Sequence, residues 1–183
     1  MSMRTTAVVV GLLFLTSTAA FAAGSSLTGA GVLLIAFTGL AVAGIGIALF
    51  PVLRPHGPGL ATGYLVLRAA EGLALLSVAV YVATSAHPVT GYEPFVYAFS
   101  GAAGLVLSGL LLRSGLVPRW LAVLGVVGYA ALLAGVVSEL TGLSELDTGA
   151  GFAFLVPGGL FELVLPILLL VKGFTRTTAE VNR

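Results

Sequence analysis

Long apolar runs separated by short polar connections form the pattern of this chain. Six runs approach or exceed the length of about 20 apolar residues that a membrane-spanning helix needs, and they occupy residues 5–23, 29–53, 60–84, 95–112, 120–140 and 150–171. The connections, such as RPHGPG and RSGLVPR, are rich in turn-forming residues. No run alternates with a period of two, and helices satisfy their own backbone hydrogen bonds in lipid. The pattern predicts an all-α fold: one integral membrane domain, residues 1–183, built as a bundle of six transmembrane helices.

Composition narrows the chemistry that such a bundle can carry. Of 183 residues, 58% are hydrophobic and only 8% are charged, whereas soluble domains are about one quarter charged. The absence of cysteine excludes disulfides and thiolate catalysis. A net charge of +1 without a basic cluster gives no reason to expect a nucleic-acid partner. His56 and His87 fall in connections on opposite sides of the membrane, so they cannot share a metal, and we predict neither a metal nor another cofactor.

The basic residues predict the orientation of the bundle. With a cytoplasmic amino terminus, seven of the eight lie on the cytoplasmic side, and they are Arg4, Arg54, Arg113, Arg119, Lys172, Arg176 and Arg183. The outer connections hold no lysine or arginine, but they contain Glu93, Glu145 and Asp147. This distribution follows the positive-inside rule. We therefore expect both termini in the cytoplasm, with residues 172–183 as a short cytoplasmic tail.

The first apolar run has a second interpretation. Arg4, the run itself and the segment TAAFAAGSS also fit a secretory signal peptide with a small-residue cleavage site. Removal of this segment would reverse the side on which the amino terminus is expected. The distribution of basic residues therefore favours a retained first helix.

Small residues recur four positions apart within the runs, at Gly39 and Ala43, at Gly104 and Ser108, and at Ala131 and Gly135. Such spacing lets helix backbones approach closely in lipid, where no hydrophobic force drives helices together. We favour tight packing inside the bundle. A contact face for a homo-oligomer is the alternative.

Three charged residues fall near the middle of predicted spans. The stretch YLVLRAAEGLALL places Arg68 and Glu71 on one helix face with Tyr64, and Glu162 lies midway along the sixth run. Each such charge costs about 2.5–3.5 kcal/mol on insertion scales, so these groups are expected to face the bundle interior and to find partners there. Pro157 and Pro166 flank Glu162 and are expected to kink its helix beside a cavity.

The charge count leaves two arrangements open. If Arg68 pairs with Glu71 alone, burial favours a neutral Glu162. If Arg68 lies between both carboxyls, the three groups share one positive charge, and a proton makes up the deficit. In either arrangement, the sequence predicts a protonatable carboxyl in a dry site.

Three segments of the chain resemble a known family. LRAAEGLALL, LLLRSGLVPRWLAVLGVVGYA and PGGLFELVLPILLLVKGF are similar to a family of small bacterial six-span membrane proteins known as domain of unknown function 4386. The turn with Arg113, Pro118, Arg119 and Trp120 is the most specific part of the match. The resemblance implies a multi-pass protein of the bacterial inner (plasma) membrane and implies no activity.

Three functions fit these features. The first is an integral membrane enzyme, similar in spirit to terpene cyclases, in which Glu162 or Glu71 is the general acid on a lipophilic, isoprenoid-like substrate. Tyr64 and Arg68 would orient the substrate. The phenylalanines expected to line its cavity and to stabilise a cation are Phe95, Phe99, Phe152, Phe154 and Phe161.

The second function is a small proton-linked transporter, for which the equal spacing from Arg54 to Gly63-Tyr64 and from Arg119 to Gly128-Tyr129 hints weakly at a repeat. The third is a non-catalytic membrane assembly module in which the charges only join the third and sixth helices. An enzyme predicts a lipophilic cavity beside Glu162. A transporter predicts a polar path to both faces, and an assembly module predicts no cavity. The expected partners are membrane lipid and a lipophilic small molecule.

Overall fold

The computed structural model describes residues 2–85, 87, 89–146 and 148–175. Six long helices dominate this part of the chain: α1 (Met3–Gly24), α2 (Gly31–Leu53), α3 (Pro58–Ser85), α4 (Glu93–Ser114), α5 (Arg119–Leu140) and α6 (Val156–Val171). Short 3-10 helices, Arg54–His56 and Gly149–Phe154, precede α3 and α6. Six segments are long and apolar enough to cross a membrane. The prediction of an all-α, multi-pass membrane protein is confirmed.

The sixth span begins differently from the sequence prediction. We expected one helix from residue 150, but Gly149–Phe154 forms a 3-10 helix and α6 begins only at Val156. Pro157 lies in the first turn of α6, where its missing N–H costs no helical hydrogen bond. It therefore starts α6 and does not kink a longer helix. Pro166 does lie inside α6, and it leaves the backbone carbonyl of Glu162 without a helical donor.

The six helices form a closed ring. Each helix packs mainly against the helices before and after it in the chain, and α6 packs against α1. Because the connections between successive helices are short, the helices alternate in direction. The α1–α2, α3–α4 and α5–α6 connections therefore lie at one end of the ring, and the two ends of the described chain lie at the other.

The end of the ring that holds the chain termini is basic and tied together by polar contacts. Arg4 donates hydrogen bonds from its guanidinium to the carbonyls of Leu169 and Leu170, at 3.3 and 2.7 Å. These contacts join the start of α1 to the end of α6. Five of the seven basic residues expected on the cytoplasmic side lie at this end, namely Arg4, Arg54, Arg113, Arg119 and Lys172. Arg176, Arg183 and the acidic loop residue Asp147 lie outside the described residues.

Two apolar clusters fill different parts of the ring. The larger cluster occupies mainly the half near the chain termini and includes Val10, Leu49, Leu107, Leu121 and Leu169, all buried. The smaller cluster lies near the opposite end and includes Ile35, Leu75 and Val96. One half of the bundle is therefore a packed core, and the space for a site lies in the other half.

Glycines allow the helix backbones to approach within the ring. A Cβ atom added to Gly39 of α2 would lie 2.7 Å from the carbonyl oxygen of Gly72 in α3. A Cβ atom on Gly128 of α5 would lie 2.6 Å from the backbone nitrogen of Gly158 in α6. The ring of Tyr129 covers Gly104 in the same way. These small residues serve packing inside the bundle, as favoured from the sequence.

Candidate functional site

A cavity of about 390 Å³ lies inside the ring, and all six helices contribute to its wall. It extends from the middle of the bundle toward the α1–α2, α3–α4 and α5–α6 connections. Most of the wall is apolar. Its charged members are the three residues that the sequence placed at mid-depth, Arg68, Glu71 and Glu162.

The wall of the cavity reaches the outer surface of the bundle between α1 and the start of α6. Ala22, Phe152 and Val156 line the cavity there and are exposed on the bundle surface. The 3-10 helix before α6 carries Phe152. The cavity therefore reaches the surface between the end of α1 and the start of α6, next to the α5–α6 connection.

Arg68 and Glu71 form a buried ion pair on one face of α3. Nη1 of Arg68 donates to Oε2 of Glu71 at 2.8 Å, and the two residues are only 2% and 4% exposed. Tyr64, one turn earlier, accepts a hydrogen bond from Nε of Arg68 at 3.3 Å. A Cβ atom on Gly46 of α2 would lie 2.9 Å from Cβ of Arg68, so a glycine there leaves room for the arginine stem.

The guanidinium of Arg68 has one donor group without a partner. Its carbon lies 5.6 Å from the ring centroids of both Phe14 and Tyr64, and these rings stabilise the positive charge. Nη2, however, is buried and has no hydrogen-bond acceptor among the described residues. Buried donors normally have a partner, so this group is a marked exception in the cavity wall.

Glu162 has hydrogen-bond partners that differ from those of Arg68 and Glu71. The hydroxyl of Tyr129 on α5 donates to Oε1 at 3.0 Å, and the hydroxyl of Thr18 on α1 lies 3.4 Å from Oε2. The ring of Tyr129 is fixed edge-on against Phe161, with centroids 5.6 Å apart. Glu162 therefore faces the interior between its two neighbouring helices and not the lipid.

The three charged residues share one cavity but not one hydrogen-bonded cluster. Within the described part of the chain, no hydrogen bond or ion pair joins Glu162 to Arg68 or Glu71. Of the two arrangements left open by the sequence, the structure adopts the one in which Arg68 pairs with Glu71 alone. The pair is internal to α3, so it does not join α3 to α6.

The predicted phenylalanines mostly lie elsewhere. Phe95 is 63% exposed on the outside of α4, and Phe161 is fully buried against α5. Phe99 and Phe154 are also absent from the cavity wall, and Phe154 packs against Gly135. The prediction that these four residues line the cavity is wrong, because they were chosen by residue type. Successive helical residues differ in direction by about 100°, so Phe161 cannot share the direction of Glu162.

Sequence reasoning missed several wall residues. The aromatic part of the wall comes from Phe14, Phe21, Tyr97, Tyr129 and Phe152, of which the sequence analysis had named only Phe152 for this role. Tyr64 supports Arg68 from behind the wall. A signal for Tyr129 was present, because a tyrosine in the middle of an apolar span needs a partner for its hydroxyl.

No set of residues in the described part of the chain suits a metal ion. Groups of three or more His, Asp or Glu side chains with suitable placement are absent there. The polar groups that face the cavity are instead two carboxyls, one guanidinium and the hydroxyls of serine, threonine and tyrosine. This donor set can bind an organic ligand and can transfer a proton.

Comparisons with known proteins give a family and no activity. No curated protein matches the chain, and no solved structure matches it. A family model described as a domain of unknown function, DUF4386, matches residues 5–95 and 90–173 and so spans almost the whole described chain. The chain is a multi-pass membrane protein that belongs to the DUF4386 family.

Proposed function

We propose that this protein is a membrane-embedded enzyme in which Glu162 is the general acid for a lipophilic, isoprenoid-like substrate. One observation carries the proposal: the carboxyl of Glu162 lies in the wall of a largely apolar cavity and is oriented by hydroxyls from two other helices. An acid that is positioned in this way is suited to protonate a weakly basic hydrocarbon or epoxide.

Among the described residues, Glu162 has no charged hydrogen-bond or ion-pair partner. Among the residues that the structure describes, Arg68 is the only cationic side chain in the wall, and its ion pair commits it to Glu71. Glu162 receives hydrogen bonds only from neutral hydroxyls. In the proposed role, Glu162 acts from its protonated form and passes that proton to the substrate.

The reaction that fits is an isomerisation begun by proton transfer. Glu162 donates its proton to an epoxide oxygen or to a carbon of a double bond, and the C–O bond or the π bond breaks to leave a carbocation. A neighbouring double bond adds to the cation and forms a C–C bond. Loss of a proton from an adjacent carbon back to the Glu162 carboxylate gives an isomer of the substrate and restores the acid. The rings of Phe14, Tyr97 and Phe152 would stabilise the intermediate cation.

The packing of the bundle favours an enzyme over the two alternatives. The larger apolar cluster fills the half of the ring near the termini, which supports a cavity open at one side over a polar path between both faces. A module in which the charges only join helices would not require a cavity beside Glu162. The intrahelical Arg68–Glu71 pair also gives little support to a purely adhesive role.

We also propose in which membrane the protein lies and how it is oriented there. We place the protein in the inner membrane of a bacterium, with both termini in the cytoplasm and the cavity in the outer half of the bilayer. The basic end of the ring supports this orientation. The substrate would enter from surrounding lipid past Phe152 and Val156. A homo-oligomer would use surfaces other than the glycine contacts, because those face the inside of the ring.

Turnover of isoprenoid probes tests whether Glu162 is the general acid. The purified protein in lipid nanodiscs is incubated in D₂O with farnesol and with its terminal epoxide, and products are identified by mass spectrometry. We expect isomers of the probe, with deuterium on carbon where a double bond was protonated. Glu162→Gln removes the transferable proton and should lower the rate by about 10²–10⁴-fold. Glu71→Gln should also remove activity, and circular dichroism must show that this variant is folded, because it leaves Arg68 without its counter-charge.

Glu139→Gln is the matched control, because Glu139 lies near the end of α5, accepts a hydrogen bond from the backbone of Leu146 and does not line the cavity. This variant should retain full activity. Normal turnover by both Glu162→Gln and Glu71→Gln would rule out the assignment of the acid.

A further inference from the structure

The unpartnered nitrogen of Arg68 carries information about the ligand. Nη1 and Nε of Arg68 are occupied by Glu71 and Tyr64, so Nη2 is the remaining donor of the guanidinium. The π faces of the Phe14 and Tyr64 rings lie near the guanidinium, but a π face has no lone pair that could accept the hydrogen bond of Nη2. A buried charged donor without an acceptor is unfavourable, and a ligand oxygen at this point would remove that cost.

The charge balance of the cavity restricts what that ligand can be. The described residues of the wall include one guanidinium and two carboxyls. An anionic head group such as a carboxylate or phosphate would add a negative charge where no cation is left to neutralise it. A cationic head group would bring no lone pair to Nη2. An uncharged oxygen acceptor satisfies the donor without adding charge.

The remainder of the wall matches a hydrocarbon chain. Ser17 and Thr38 also line the cavity, but both hydroxyls donate to backbone carbonyls within their own helices. Neither hydroxyl therefore needs a hydrogen-bond acceptor from a ligand. Phe21 and Leu75 make the wall apolar above the ion pair, and Phe152 continues it to the lateral opening. A cavity of about 390 Å³ lies at the lower end of the range for small-molecule sites, roughly 300–1,000 Å³.

We propose that the cavity selects an uncharged lipophilic compound with a ketone, ether or epoxide oxygen, and that this oxygen accepts a hydrogen bond from Nη2 of Arg68. The oxygen lies at the deep end of the cavity and the hydrocarbon chain extends toward the opening between α1 and α6. Nη2 is covered in the present structure, so a small shift of the guanidinium or of the Phe14 ring accompanies binding. This inference rests on the proposed function and specifies its substrate class.

Binding of three matched probes tests the inference. Methyl undecyl ketone, tridecane and tridecanoate have the same number of carbon atoms and differ in the oxygen and the charge. Their occupancy on the protein released from phosphatidylcholine nanodiscs is measured by native mass spectrometry. The ketone should bind about tenfold more tightly than tridecane, as one additional hydrogen bond to a charged donor provides. Tridecanoate should bind no better than tridecane.

Variants test whether the preference for the ketone over tridecane depends on the Arg68–Glu71 ion pair. Arg68→Met combined with Glu71→Gln removes both charges together and should bind ketone and alkane equally. Arg113→Met is the matched control, because Arg113 is exposed at the end of α4, and it should keep the tenfold preference. If the double variant fails to fold, the carbonyl stretch of the ketone bound to the unmodified protein gives the answer, because a hydrogen bond lowers its frequency relative to ketone in lipid.

The outcomes separate this inference from the proposed enzyme. Equal binding of ketone and tridecane, strongest binding of tridecanoate, or an unshifted carbonyl stretch would overturn the ligand class. Turnover of farnesol probes in that case would leave the acid catalyst intact. A ketone preference that depends on Arg68, without turnover of any probe, would instead support the ligand class and refute the catalytic role of Glu162.

Discussion

The ion pair in α3 is the residue-scale feature that most constrains the molecule. Arg68 and Glu71 are almost fully buried, and each neutralises the other. A buried pair of this kind gives little net stability, because both ions lose their hydration. Loss of one partner is different, since it leaves an uncompensated charge in an apolar interior.

Glu71→Leu should therefore destabilise the protein by about 3–5 kcal/mol. Adding Arg68→Met to the same chain should recover most of this loss, because no charge then remains unpaired. Thermal unfolding in detergent, followed by circular dichroism, measures both effects. Glu139→Leu outside the cavity is the control and should cost much less. Equal stability of Glu71→Leu and the unmodified protein would mean that the pair contributes nothing to the fold.

Tyr129 illustrates a positioning role at the same scale. Its hydroxyl orients the Glu162 carboxyl, and its ring packs on Gly104 and Phe161. Tyr129→Phe keeps the ring and removes one hydrogen bond, so unfolding should shift by only about 0.5–1.5 kcal/mol. The turnover number for a farnesol probe should fall while KM changes little, because the carboxyl of Glu162 loses the hydroxyl that orients it. An unchanged turnover number would assign Tyr129 to packing alone.

At the scale of helices, the close contact between α5 and α6 sets the distance between Tyr129 and Glu162. Gly128 and Gly158 let the two backbones meet next to Tyr129 and Glu162. Gly128→Ala places a methyl group 2.6 Å from a backbone nitrogen of α6, and backbone cannot move aside as a flexible side chain does. The helices must separate, so we expect a lower Tm and a weaker Tyr129–Glu162 hydrogen bond with reduced turnover.

Gly109→Ala in α4 is the matched control for that change. Nothing lies within 4 Å of a Cβ atom at Gly109, and alanine favours a helix over glycine by about 1 kcal/mol in soluble helices. This variant should be as stable as the unmodified protein or slightly more stable. A similar Tm for both alanine variants would contradict the assignment of Gly128 to close helix contact.

Helices were predictable from the sequence for a simple reason. Length and apolarity alone decide whether a segment can span a bilayer, and all six spans satisfy both conditions. The 3-10 helix at Gly149–Phe154 was not predictable, because its residues are as apolar as those of α6 and only Pro157 marks the boundary.

The site was predictable mainly in its charged part. Arg68, Glu71 and Glu162 stood out because charge at mid-depth is costly and needs an explanation. Thr18 and Phe14 gave no such signal, since a threonine hydroxyl can bond to a carbonyl of its own helix and a phenylalanine ring is tolerated anywhere in a span. Their place in the wall depends on which face of α1 turns inward, and an apolar run without amphipathic periodicity does not reveal that face.

For the whole molecule, the two ends of the ring differ in charge and in packing. The end that carries Arg4, Arg54 and Arg119 is closed by the larger apolar cluster. The cavity lies toward the other end, near the connections that contain Thr28 and Thr90. If the basic end is cytoplasmic, the proposed substrate would enter from the outer leaflet, so the orientation of the chain would determine which lipids could reach the site.

Single cysteines measure that orientation directly, because the chain contains none of its own. Ser2, Thr28 and Thr90 are exposed at opposite ends of the ring. A membrane-impermeant maleimide added to intact cells should label Thr28→Cys and Thr90→Cys, and should label Ser2→Cys only after permeabilisation. Leu33→Cys, on the exposed face of α2 and 73% exposed, should react in neither case because it faces lipid. The reverse pattern would place the cavity in the cytoplasmic leaflet. It would then limit the substrate to lipids of that side, and the interior chemistry of the site would stay the same.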